Sequence, residues 1–231
     1  MSRTRHQRTE AAHRRRSEAS SLLLWVLGAD GFAYPDWTGR LERFGGKGVH
    51  LEPTVDCLRE AFKRGVFRRT WGDAWKDTAI DSLCIRFAAS ATEALQQRLG
   101  LAVRAGALAV GQASSSEAMA RSHRHGILFS ASDAGDSAQA KFTRNAGRKN
   151  ARVACLADGY WLGRATGREY VSVAWVDEPA FVHPLDRACR AVQCLPDSVV
   201  LSYESGVAAE PSATVNDAEG IVTGDTGTPV E

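Results

Sequence analysis

Apolar and polar positions alternate along the chain in two distinct rhythms. Between Leu99 and Gly167 polar helical runs alternate with short apolar segments, which predicts helix, strand, helix, strand, helix, strand. The clearest strands are Gly126 to Ala131 (GILFSA) and Arg152 to Ala157 (RVACLA). Upstream, Leu22 to Leu27 and Phe32 to Tyr34 flank Gly28-Ala29-Asp30-Gly31, a turn-rich break that predicts a hairpin. Val55, Leu58, Ala61 and Phe62 then share one face of a helix over Thr54 to Lys63, with Pro53 near its first turn, where a missing amide costs nothing. From about Leu195 onward Gly, Pro, Ser, Thr and acids dominate and apolar periodicity ends, so the tail is expected to be disordered. Ser132-Asp133-Ala134, after the first of the two strands, is expected to cap the helix that follows. The pattern divides the chain into units over 1–80 and 81–195 and a tail over 196–231, with an α/β fold.

Composition narrows the class. At 231 residues and 44% hydrophobic content the chain is long enough for one large or two small domains, and two are favoured. Its longest apolar run, Leu22 to Leu27, is far short of the ~20 residues a membrane span needs. The Arg-rich start lacks the apolar region of a secretory signal, so a cytoplasmic chain is expected. Cys57, Cys84, Cys155, Cys189 and Cys194 are odd in number and scattered, which suits reduced thiols.

Net charge is +2, yet all 29 Lys and Arg precede residue 191, whereas seven acids follow residue 194. Residues 1–194, with 29 cations against 20 acids, therefore carry +9. A basic body can attract phosphates through counterion release, with an acidic tail competing for the same surface, or the charges can simply be solvated.

Candidate contacts follow from this charge. In Gly46-Lys47-Gly48 the glycines leave backbone amides accessible and Lys47 adds a point charge, an arrangement suited to phosphate and found also in ordinary tight bends. The Walker A spacing is absent. Lys63, Arg64, Arg68 and Arg69 are expected to cluster at a helix end, with Trp71 and Trp75 beside them more suited to packing than to base stacking. Arg3, Arg5, Arg8, Arg14, Arg15 and Arg16 make a basic N-terminal arm. His123 and His125 are expected on a polar helix at a spacing that points them apart, and neither a Gly-x-Ser-x-Gly elbow nor HExxH occurs, so the chain is read as a non-enzyme.

Two resemblances sharpen these expectations. Residues 8–75 resemble the YlxR domain through Arg8-Thr9, Arg14, Leu22-Leu23, Gly31, Gly46-Lys47-Gly48-Val49, Cys57-Leu58, Ala61, Lys63-Arg64 and Phe67-Arg68-Arg69. Residues 95–185 resemble the YlxQ branch of the kink-turn-binding ribosomal protein family through LGLA-RAG (Leu99 to Gly106), Gly111, Ser132-Asp133-Ala134 and LGRATG (Leu162 to Gly167). The resemblance implies a small α/β domain followed by a three-layer α-β-α sandwich, in a bacterial protein that binds structured RNA, either ribosomal or in an RNA-processing ribonucleoprotein. It implies RNA contacts at Arg14, Gly46, Lys47, Gly48, Lys63, Arg64, Arg68 and Arg69, and in the second unit at Gly111, Gln112, Ser114 and Arg164. Arg164 is equally readable as a solvated helix residue.

The chain also departs from both families. The four YlxR cysteine positions hold Glu10, His13, Glu52 and Cys57, a poor set for structural zinc, so neither metal nor cofactor is expected. The family's Gly-x-Asn-Glu loop reads Gly111-Gln112-Ala113-Ser114, and Glu117 replaces a family cation. The competing expectation is a protein-interaction module that keeps these folds and has lost RNA contact.

Overall fold

A computed structural model of the chain describes residues 7–39, 47–76, 79–195 and 198–205. The first unit opens with a short hairpin, β1 (Gln7–Thr9) and β2 (Arg16–Glu18). A three-stranded antiparallel sheet follows, β3 (Leu23–Leu27), β4 (Ala33–Pro35) and β5 (Val49–Leu51), with β3 central. The expected hairpin around Gly28 to Gly31 is therefore present, with Leu27 opposite Ala33. Helix α1 (Val55–Lys63) is capped by Thr54, whose hydroxyl accepts from the Cys57 amide at 3.3 Å. Pro53 thus stands one residue before the cap, outside the first turn. Gly65 adopts φ +61°, a left-handed turn that suits glycine, and starts α2 (Val66–Trp71).

The long helix α3 (Ile80–Arg104) belongs to both units. Phe87 near its start lies 5.7 Å from the rings of both Trp25 and Trp37, and the Trp37 indole donates to Ser90 Oγ at 3.0 Å. Beyond it Leu99 and Ala102 turn toward the second unit, and one hydrophobic cluster runs from Leu23 and Trp25 through α3 to Val192. The expected division at residue 80 consequently marks the start of a shared helix that packs on both sides.

The second unit is built on a mixed five-stranded sheet, ordered β10-β8-β7-β9-β6. Its elements are β6 (Leu108–Val110), α4 (Gln112–Arg121), β7 (Ile127–Ala131), α5 (Asp136–Arg148), β8 (Arg152–Leu156), α6 (Gly159–Thr166), β9 (Val173–Val176), α7 (Pro179–Gln193) and β10 (Val200–Ser205). Strands β7 and β8 run parallel and the remaining pairs antiparallel. Every residue of β7 is buried because both faces are covered: Ile127 and Phe129 join α3, α6 and α7, while Leu128 joins Met119 of α4 and Phe142 of α5. Three layers result, and the fold is α/β.

Strand β10 corrects the expectation of disorder from residue 196. Residues 200–205 pair with β8, Val200 is fully buried, and the Tyr203 hydroxyl donates to Asp186 at 2.8 Å. The rest of the expected tail, 196–197 and 206–231, lies outside the described residues. No described helix is long and apolar enough to cross a membrane.

Candidate nucleic-acid interface

Packing forces decide where the basic residues of the first unit stand. Phe67 and Trp71, four residues apart on α2, stack with ring centroids 5.5 Å apart and planes 13° from parallel. Trp75 is 8% exposed and meets the rings of Phe62 and Phe67, so both tryptophans are spent on packing. The Trp71 indole N–H donates to the Lys47 carbonyl at 2.7 Å, tying the glycine loop to the helix that carries Arg68 and Arg69. The side chains of Lys47, Lys63, Arg64, Arg68 and Arg69 are all exposed. Within the cluster Arg69 donates to the Arg64 carbonyl, and Arg64 donates to Glu60 (both 2.5 Å), so Arg64 already has an acidic partner.

Gly48 has a packing role instead of an open one. A Cβ there would stand 2.4 Å from Leu24 Cδ1, so its missing side chain lets the loop lie on β3. Gly46, and Arg3 and Arg5 of the arm, lie outside the described residues. Arg14 is exposed at the tip of the turn joining β1 to β2, in a left-handed conformation (φ +57°).

That turn is organised by a buried carboxylate. Glu10 is fully buried, and its oxygens accept from the amides of Ala12 (2.7 Å) and His13 (2.8 Å) and from the Cys57 thiol (3.2 Å), with the His13 ring 2.9 Å away. Burial pushes the Cys57 thiol pKa up and the neighbouring carboxylate pushes it further, so Cys57 is a protonated donor. The ligand atoms of Glu10, His13 and Cys57 lie within 4.8 Å of one another. Glu52, the fourth family position, instead accepts from Arg15 at 2.7 Å. Three of the four family positions therefore converge, one short of the four ligands that structural zinc takes, and two of the four positions are carboxylates where the family has cysteines. Chelator treatment is accordingly expected to leave the melting temperature unchanged, whereas stoichiometric zinc in purified protein, lost together with stability on chelation, would overturn this conclusion.

The second unit does not assemble its expected contacts into one site. Gly111 adopts φ +92° and starts α4, leaving Gln112 and Ser114 exposed at the carboxyl end of β6. Arg164 sits in the last turn of α6, in the opposite layer, where it lines a groove with Gln96, Gln97 and Arg104 of α3. Asp133 does not cap α5, whose cap position is Gly135; it accepts from the Gly159 amide at 2.9 Å and the Tyr170 hydroxyl at 3.4 Å, joining the loop after β7 to the start of α6. Asp158 caps α6 through the Trp161 amide at 2.5 Å. The carboxyl end of the parallel strands therefore carries Asp133, Asp136 and Asp158, an acidic surface beside the expected RNA loop. His123 and His125 stand in the loop between α4 and β7, beyond the end of α4 at Arg121. Arg124 lies in the same loop, and Lys149 at the end of α5 reaches it by donating to the Ser122 carbonyl, with Arg144 and Arg148 in the C-terminal half of that helix. Their trace in the sequence is a stretch from Ser137 to Ala157 with five cations and no acid.

No family model matches the chain, and no curated protein matches it. Among solved structures it is similar to a protein of unknown function from Bacillus halodurans C, 26% identical over 41% of this chain and 94% of that one, with a TM-score of 0.38.

Proposed function

We propose that this chain is a non-enzymatic cytoplasmic RNA-binding protein of bacteria that contacts structured RNA, ribosomal or in an RNA-processing particle. The observation that carries the reading is the hydrogen bond between Trp71 and the Lys47 carbonyl, which makes one exposed basic surface of the glycine loop and α2. Aligned cations on a rigid support bind phosphates as point charges and release counterions, so sequence-independent affinity follows from charge alone. Titrating the full chain with a structured RNA hairpin over a series of salt concentrations tests the proposal. Affinity is expected to fall steeply and linearly on logarithmic axes. Absent or salt-independent binding would overturn it in favour of a protein-interaction module.

Kink-turn recognition is expected to be weak. Ala113 offers no side-chain hydrogen bond, Ser114 is short, and Asp133, Asp136 and Asp158 repel phosphate near the start of α4. Each lost base contact removes ~1–3 kcal/mol of discrimination. The full chain should therefore prefer a kink-turn over an unkinked control by less than about tenfold, or ~1.4 kcal/mol. A preference of two orders of magnitude in a competition assay would mean that an equivalent site has been built from other residues.

A further inference from the structure

We infer that the second unit meets the RNA phosphate backbone with the surface at the amino ends of β7 and β8, formed by the 122–126 loop and the C-terminal half of α5. The inference rests on the RNA-binding reading above and moves its second contact to the opposite end of the sheet from Gly111 and Ser114. Residues 118–132 and 137–157 together hold seven Lys and Arg, two His and no acid. Their topology brings these charges together, because the loop enters β7 where α5 delivers the chain into β8.

The surface is built, with its loop fastened at several points. Lys149 Nζ donates to the Ser122 carbonyl at 2.7 Å, the His125 ring lies 3.3 Å from the Lys149 carbonyl, and the Arg152 amide donates to the Gly126 carbonyl at 2.9 Å. Ser122 Oγ also accepts from the Arg124 amide at 3.1 Å. Gly126 lets the loop lie on β9, since a Cβ there would meet the Val176 carbonyl at 2.4 Å and the Trp175 ring at 2.5 Å. A loop held this way loses little conformational freedom on binding.

Some of the cations are already paired. Arg121 pairs with Glu117 at 3.1 Å, Arg124 with Glu178 at 2.9 Å, and Arg152 with Asp186. Asp177 and Glu178 bound the patch on its β9 side. Arg144 and Arg148 are exposed, make no hydrogen bond or ion pair with any described residue, and stand four apart on one face of α5. A cation in the last helical turn complements the helix dipole, which accounts for Arg148; Arg144 lies a turn earlier, and the loop cations belong to another element. A protein partner would want an apolar centre, and none of the exposed large hydrophobic residues, Tyr34, Ile85, Leu101, Tyr160, Tyr170 and Leu201, belongs to this surface. A phosphate backbone needs only the charge.

The test compares three full-length proteins binding one RNA hairpin across a salt series: wild type, R144Q/R148Q, and R104Q/R168Q, which removes the same charge from exposed positions elsewhere. R144Q/R148Q is expected to weaken binding about tenfold near physiological salt and to lower the salt slope by roughly two, while the control changes affinity less than about threefold. Melting should change little, since both side chains are exposed and only the Arg148 interaction with the helix end is lost. An unchanged slope in R144Q/R148Q with normal wild-type binding overturns the surface and leaves the RNA reading standing. An equal loss in the control reduces the effect to net charge and also overturns it. Failure of wild type to bind overturns both.

Discussion

Glu10→Ala is expected to destabilise the folded chain by about 3 kcal/mol and to lower the melting temperature by roughly 6–12 °C. The carboxylate is fully buried and receives two amides, a thiol and an imidazole from three residues. Its removal leaves the buried Ala12 amide and Cys57 thiol without an acceptor, while the exposed His13 can turn to water, and each orphaned buried group costs about 1–3 kcal/mol. The loss reaches beyond the turn, because the Ala11 amide donates to His50 on β5 at 2.9 Å and Cys57 lies on α1. Glu10→Gln keeps the shape but offers an amide N–H where an acceptor is needed, so it should fall between wild type and Ala. Denaturant unfolding measures both, and a loss under about 0.5 kcal/mol for the Ala variant would show that the turn does not depend on the carboxylate.

The same group sets a pH dependence. Burial by itself raises the Glu10 pKa, but the hydrogen bonds from His13, Ala12 and Cys57 outweigh it and hold it below its ordinary value of 4.5. A depressed folded-state pKa adds stability that is complete above the ordinary value and is lost as pH falls through the folded one. The stability gap between wild type and Glu10→Gln should therefore be constant near neutral pH and narrow on acidification below about 4.5. A gap that widens there would reverse the assigned sign.

Replacing Lys47, Arg68 and Arg69 together by Ala is expected to weaken binding to structured RNA roughly fiftyfold at physiological salt and to lower the salt slope by roughly two to three. These side chains are exposed and their loop and helix are joined through the Trp71 indole and the Lys47 carbonyl, a backbone atom that the substitutions keep. Folding should consequently survive, since the Arg69 bond to the Arg64 carbonyl that the substitutions remove is an exposed one. Full affinity and slope in the variant would remove the glycine loop and α2 from the interface.

Local periodicity was enough for much of the fold. The one-sided apolar face of Val55, Leu58, Ala61 and Phe62, the turn at Gly28 to Gly31, and the apolar runs of β7 and β8 all announce their elements, because helix and strand repeats and turn residues act over a few neighbours. Strand β10 escaped because its register shifts between Val200 and Ser202, which breaks strict alternation and brings Val200 and Tyr203 to the same interior. The role of Asp133 was equally hidden: a capping residue and a cross-loop acceptor look alike in sequence, and its partners at Gly159 and Tyr170 lie 26 and 37 positions away.

Charge shows the same boundary. The excess of cations before residue 191 and the glycine loop with its basic helix end can be read directly from residue types, since charge is additive along a chain. Which cations share a surface depends on strand order. With β7 and β8 parallel, the loops leaving their carboxyl ends gather Asp133, Asp136 and Asp158, while those entering their amino ends gather His123, Arg124, His125, Arg148 and Lys149. The packing of α3 was likewise beyond composition, because its burial of Phe87 and Leu99 against different partners is a property of tertiary contacts. Residue types and local spacing therefore specify the elements and the overall charge, and long-range pairing assigns each charge its neighbours, because contacts between distant segments exist only once the sheet has closed.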